Sequence, residues 1–507
     1  MSKIKFGEYT PDSPDLQDGP NQMGYIEMAT ANNVLPHATH YGQFPDFVAQ
    51  TTTAMDSACL GGYSANSTPV SSTVNFVGDT AKLYTVGAAS FTDVSKVGGY
   101  STNSDEVWKF CQFGNKIEAT NFSNPIQTWD LASSSAFADL AGSPPNCRSL
   151  MTVKSAHLVA LNTYDAVQGD LPSGVAWCGT GDDTTWVTSP VTLAGSVILR
   201  SDAGWINAGV SGEYGTIFQD SAITIMSYEG SPTVFRFDQI KSQKAGTKAG
   251  RSVINTQLGI AYYGNDGFNL LAGENVESIG SSKVDQTFAR DFNASFQQNV
   301  IACVHPAEKI IFWLYPSNDS ALGTPDKCIM FNYAPNAVTR WATADIALEF
   351  LYPTIDPGYT LEELDSVSSS LDTLPYSLDS RFWQNGAIQL GAINSAHNFG
   401  RLTGDALTAT LTTKEYQLIT GSIAKVNELR PIVYNLDTTV ASTIALSSRM
   451  LSTTSKSYGT AVSPSSSGVC KFLSGTGRYH SAKLVLTNGF HQAVGINIEN
   501  VVKVGKR

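Results

Sequence analysis

The chain has 507 residues, 42% of them apolar and only 15% charged, against a usual charged share of ~25%; it is long enough for two or three domains, with Ser, Thr, Gly and Asn filling the surface. No stretch approaches the ~20 apolar residues of a membrane span, so a soluble chain is expected, and seven cysteines without a CxxC spacing argue against a disulfide scaffold or a zinc cluster and for buried free thiols made in a reducing cell. The net charge of −12 is unevenly spread: residues 411–507 hold 11 Lys and Arg against 4 Asp and Glu (net +7), and residues 1–410 hold 21 against 40 (net −19), which predicts a domain boundary near residue 410 and different partners on its two sides.

The first 30 residues hold neither an apolar run nor a basic start, so no signal peptide is predicted. Residues 32 to 47, "NNVLPHATHYGQFPDF", set Val34, Leu35, Tyr41, Phe44 and Phe47 among Pro36, Gly42 and Pro45. That spacing suits neither a helix nor a central strand. An extended arm over residues 1–60 is expected, laying its apolar side chains on its own chain or on a neighbouring subunit.

From about residue 72 to 350 the pattern is short strands and tight turns. "TVNFVGDTAKLYTV" turns at Gly78-Asp79, "VWKFCQFGNKIEATN" at Gly114-Asn115 and "GIAYYGNDGFNLLAG" at Asn265-Asp266-Gly267. "NVIACVHPAEKIIFWLYP" turns at His305-Pro306, and "DKCIMFNYAPNAVTRWATADI" at Pro335-Asn336. A Trp lies near an end of many units: Trp108, Trp177, Trp186, Trp205, Trp313 and Trp341. Units recur every ~40–50 residues, the length of a propeller blade. The spacing predicts an all-β chain with a β-propeller of about six to eight blades over residues 61–410. Residues 353–380 interrupt it with a loop rich in Ser, Asp and Pro, the kind of long loop that makes contacts. Residues 411–507 alternate cleanly and predict a separate, β-sandwich-like C-terminal domain.

No constellation for chemistry emerges. The histidines are His37, His40, His157, His305, His397, His480 and His491. His37 and His40 lie three apart in a Pro-bounded coil with no carboxylate nearby in sequence. GxSxG, HExxH and P-loop patterns do not occur. Glu362, Glu363 and Asp365 offer paired carboxylates of the kind glycoside hydrolysis uses, but in a stretch that reads as a solvated loop. "GTGDDTTW", ending at Trp186, faintly resembles the Asp-box of sialidase propellers, yet is one residue short and does not recur; a turn with a packed Trp is expected. The terminal "KVGKR" reads as a solvated end, and no basic stripe for nucleic-acid readout is found. No catalytic residue, metal ligand or cofactor-binding residue is assigned, and no enzymatic activity is expected.

Several motifs in order resemble a family of phage virion proteins: the acidic, Pro-rich start "DSPDLQDGPNQMGYIEMATANNVLPHATHYGQFPDF", then "WKFCQFGNKIEATN", "VAWCGTGDDTTW", "GEYGTIFQDSAITIM", "GIAYYGNDGFNLLAG", "TLEELD…LDTLPYSLDSR" and "GRYHSAKLVLT". The chain resembles the tail nozzle, or tail hub, of short-tailed phages over nearly its whole length. That resemblance implies a ring of propeller subunits, six in number, below the portal and adaptor. Such a ring prolongs the channel through which genomic DNA passes unread, and docks tail fibres or spikes. It implies a virion tail location and no catalytic residues. The alternative is a peripheral receptor-binding or carbohydrate-binding virion propeller. The acidic bulk suits a channel wall that repels phosphate and lets DNA slide.

Overall fold

The computed structural model describes residues 2–505 except 18, 22, 68–71, 88, 241, 243–244, 356–369, 371–387 and 436–439. Most of the loop expected at 353–380, with Glu362, Glu363 and Asp365, therefore lies outside the described residues.

The hairpins form where the turn chemistry places them. Phe113 pairs with Lys116 across Gly114-Asn115, and Gly264 with Gly267 across Asn265-Asp266. Gly114 has φ +60°, the left-handed backbone that a two-residue hairpin turn demands and glycine accepts without strain. Such hairpins extend into four-stranded antiparallel meanders. Among the described residues six of these stand as separate sheets, and a further four strands, from Ile301–His305 to Trp341–Asp345, form the same meander.

Their inner strands follow one another in a closed order: Gly61–Ser67, Lys109–Phe113, Asn146–Val153, Ile206–Val210, then by way of the turn Gly250–Ser252 Ile254–Thr256, Ile301–His305, Leu348–Ile355, and back to Gly61–Ser67. This is a β-propeller with seven places, numbered below as blades one to seven in that order. Aromatic side chains fill the wedges. Phe76 packs on Trp129 and Phe137, Trp177 on Phe235, Phe218 on Tyr262, and Phe268 on Trp313 and Trp341. The Trp108 indole N–H donates to the carbonyl of Asp79 at 2.7 Å. All seven cysteines are buried and free, and burial pushes the thiols of Cys59, Cys147 and Cys178 up to about 12.

The ring is closed by the N-terminal segment. Strand Pro45–Ala49 is the outer strand of blade seven, paired antiparallel with Phe399–Ala406. The rest of the segment is extended and packs on its own chain, as strands of the second domain, so the division does not fall at residues 60 and 410. Strand Ser2–Tyr9 lies between Tyr25–Asn32 (parallel) and Gln492–Gly505 (antiparallel), and Tyr25–Asn32 pairs onward with Ala409–Thr413. The second domain is thus built from both ends of the chain, residues 2–43 and 409–505. Its sheet curls around an apolar interior that includes Ile4, Val426, Leu429, Leu446, Ile496 and Ile498. Pro and Gly cut residues 34–49 into three short strands, Val34–Pro36, Tyr41–Gln43 and Pro45–Ala49. Val34, Tyr41 and Phe44 are fully buried within the same chain.

Blade six is the seam between the domains. The Asn33 N–H donates to Thr343 at 2.7 Å, and the Asn332 side chain to Pro36 at 2.6 Å. Asp12 accepts from the N–H groups of Gln286 and Thr287 at 2.6 and 2.8 Å, where the short helix Asp285–Asp291 begins. An aspartate there satisfies helix N–H groups left without intrahelical partners.

Candidate interaction surfaces

The inner strands all begin at one face of the propeller, and the residues that precede or open them surround the mouth of its channel. Lys109 opens the inner strand of blade two, Arg148 lies early in that of blade three, and Arg251 sits in the turn Gly250–Ser252 before that of blade five. Lys248 stands at the rim. Arg251 reaches across the axis. It donates to the Leu60 carbonyl at 3.3 Å, before blade one, and lies 5.3 Å from the Phe350 ring of blade seven. Burial brings its guanidinium down to about 10. Lys109 is brought down to about 7 by burial and then by Arg251.

Two carboxylates share the mouth. Glu106 is buried, its oxygens accepting from the Asn103 N–H and side-chain amide, both at 3.1 Å, and from the Ser123 hydroxyl at 2.6 Å. Asp105 stands 3.7 Å from Arg148, whose guanidinium lies over the rings of Phe122 at 4.1 Å and Trp205 at 5.9 Å. The loop carrying Trp205 is pinned by Asn207, whose amide donates to Trp205, Asp220 and Thr247. Of the six end-placed Trp residues, five pack in the protein, while Trp205 is 52% exposed. The Trp pattern in the sequence marks all six alike; only the fold separates this one.

A second surface is on the other domain. Strands Cys470–Gly477, Ile423–Tyr434 and Gln492–Gly505 form a three-stranded tongue. Ser2 pairs with Ile498, and beyond that point the edge of Gln492–Gly505 away from Ile423–Tyr434 has no ladder partner among the described residues. Val501, Val502 and Val504 are exposed, and a bulge between Lys471 and Gly475 throws Leu473 out to 96% exposure. Exposed Lys471 and Lys503 flank them. An open edge with apolar side chains is a template for pairing.

The structural boundary keeps the charge asymmetry. Residues 1–43 with 409–507 carry 13 Lys and Arg against 9 Asp and Glu (net +4), and residues 44–408 carry 19 against 35 (net −16).

No family model matches the chain, and no curated protein matches it. Solved structures do. A chain of the mitotic checkpoint complex overlaps with a TM-score of 0.38 and 11% identity, over 70% of this chain and 93% of that one. BBS1N in complex with ARL6DN gives 0.39 and 7%, over 71% and 97%. YCF48 bound to D1 peptide gives 0.34 and 11%, over 72% and 98%.

The remaining residues marked in the sequence have structural surroundings. His37 and His40 stack at 4.9 Å, and His37 stands 3.2 Å from Glu308, a carboxylate supplied by blade six and invisible in the local sequence. Burial lowers both imidazoles, His40 to about 4. Among the described residues no group of three or more His, Cys, Asp or Glu is placed to hold a metal. In "GTGDDTTW", Asp182 accepts from Thr184 and Thr185, and the buried Trp186 donates to Asp183. No helix among the described residues is long and apolar enough to cross a membrane.

Proposed function

We propose that this chain is a structural component of a phage tail, a nozzle or hub subunit that forms a six-membered ring. In this reading the ring prolongs the DNA channel below portal and adaptor and docks tail fibres or spikes, without catalysis. The observation that supports it most is the tongue: an open strand edge with Val501, Val502, Val504 and Leu473 exposed beside Lys471 and Lys503. A neighbour's acidic propeller complements a basic docking edge, and opposite charge across a contact speeds and orients docking. The propeller's net −16 suits a surface along which DNA moves without adhering.

A peripheral, receptor-binding or carbohydrate-binding role is the second reading. Trp205, Arg148 and Asp105 converge at the channel mouth, a combination of aromatic face and charge that also suits a ligand on a cell surface.

A cryo-EM reconstruction of the particle decides between them. The expected result is six copies on the tail axis, with the tongue at a contact between subunits. Copies only at the periphery favour the second reading. One copy per particle, or the many copies of a capsid protein, ends the first.

A further inference from the structure

We propose that the mouth of the propeller channel binds a small organic phosphate monoester, its phosphate held by Lys109, Arg148, Lys248 and Arg251 and its ring body laid on Trp205. The inference does not depend on where the chain sits in a particle.

Four cations from three parts of the chain surround one cavity of about 90 Å³, well above the ~10–15 Å³ that a single water needs on this measure. Two carboxylates oppose them, and both are already engaged. Glu106 accepts three hydrogen bonds from Asn103 and Ser123, and Asp105 stands by Arg148. The Lys109 ammonium makes no hydrogen bond or ion pair among the described residues, and the Arg251 guanidinium meets only a carbonyl and a ring. Lys109 and Arg251 are half-buried, and partial desolvation of a cation without a counterion is costly; both stand in a propeller of net −16. An incoming anion relieves that cost.

The donors converge from blades two, three and five and from the rim. That spread suits the several oxygens of a tetrahedral dianion better than the two of a planar carboxylate. Trp205 presents a half-exposed ring next to the Arg148 stack, and a ring-bearing ligand gains there by stacking. Gly250 lets the wall close on Asn207, since a Cβ would stand 2.1 Å from the Asn207 carbonyl. Arg251 crosses the axis below, which favours a compact ligand over a threaded chain.

The test is calorimetric titration of the full chain at constant ionic strength with inorganic phosphate, adenosine 5′-monophosphate, adenosine, citrate and a short single-stranded oligonucleotide. Saturable binding of phosphate is expected, tighter binding of the monophosphate, and none of adenosine. Lys109→Gln and Arg148→Gln should each weaken monophosphate binding about ten-fold or more, and Lys109→Arg should retain it. Trp205→Ala should lower the monophosphate to the level of free phosphate. Lys109 faces Arg251, Arg148 and Lys248 as well as Asp105 and Glu106. Its ammonium loses its proton more readily than usual, so affinity should fall between about pH 7 and 8.5 in the natural chain and stay flatter in Lys109→Arg, the ester being a dianion throughout that range. Melting curves of each variant show whether it is folded. The proposal is overturned if neither phosphate nor monophosphate saturates below about 10 mM, if folded Lys109→Gln binds as the natural chain does, or if citrate or an oligonucleotide binds more tightly than the monophosphate.

Discussion

Glu118 shows how one side chain sets a dependence on pH. It is fully buried in blade two, accepting from Thr128 at 2.9 Å, with Asp183 and Lys116 beside it. Burial raises its carboxyl to about 8. The folded chain therefore holds a proton that the unfolded chain has released above its ordinary value of 4.5. Stability contributed by that proton is fully present below the unfolded value and is lost as pH rises towards the folded one. Glu118→Gln should remove this slope: in denaturant titrations from about pH 5 to 8, the natural chain should lose more than about 1 kcal/mol relative to the variant. Lys414 fails differently. Its side chain is 1% exposed and its ammonium donates to the carbonyls of Ser13 and Pro14 at 2.6 and 3.2 Å. Lys414→Met should orphan both acceptors at a cost of about 1–3 kcal/mol, and hydrogen exchange should quicken at residues 10–17 while blades one to four stay protected. The Lys414 contacts were not legible in the sequence, because they join residues some 400 apart that carry no motif; Glu118 meets Thr128 within its own meander, and only Asp183 comes from the next blade. What was legible is the end-placed Trp, since a large ring at a strand end packs between blades; Trp205 departs from it because its neighbours supply a cation instead of a wedge.

At the scale of elements, local chemistry decides hairpins and distant partners decide sheets. Gly114-Asn115 and Asn265-Asp266 set their own turns, so these units were readable. The pairing of Pro45–Ala49 with Phe399–Ala406 was not, because strand partners some 350 residues apart leave no local trace. Gly400 marks that contact: a Cβ there would stand 2.1 Å from the Val48 carbonyl. Gly400→Val should force the closing strand outward and cost about 1–3 kcal/mol by overpacking, read as a lower melting temperature with early exchange in blade seven. The second domain gives a sharper test. Residues 411–507 alone lack the strands Ser2–Tyr9 and Tyr25–Asn32 that stand between Gln492–Gly505 and Ala409–Thr413. That fragment should show no cooperative unfolding and no dispersed amide spectrum, and adding a peptide of residues 2–43 should restore both. An autonomously folded 411–507 fragment would contradict the two-ended construction.

For the molecule as a whole, charge and the open tongue bear on assembly. Lys471 is exposed, whereas Arg478 and Lys483 are half-buried, so a clean reversal belongs on the tongue. For the ring proposed above, Lys471→Glu with Leu473→Glu should leave the melting temperature within a few degrees and cut incorporation into particles, most at low salt, because rim charges are screened beyond about 8 Å at physiological ionic strength. Normal incorporation at low salt would count against docking through this edge. Low charge, period-two alternation and glycine turns determined an all-β chain of local hairpins, since each of those signals acts within a few residues. The sign change in charge near residue 410 likewise belongs to the sequence, and it survives, reduced, in the true boundary. The tertiary structure alone decided that seven meanders close a ring, that the first strand lies against the last, and that four cations from three parts of the chain meet at the channel mouth. Those outcomes depend on which strand edges are left free and on side chains that burial brings together across hundreds of residues, and neither is written in any local pattern.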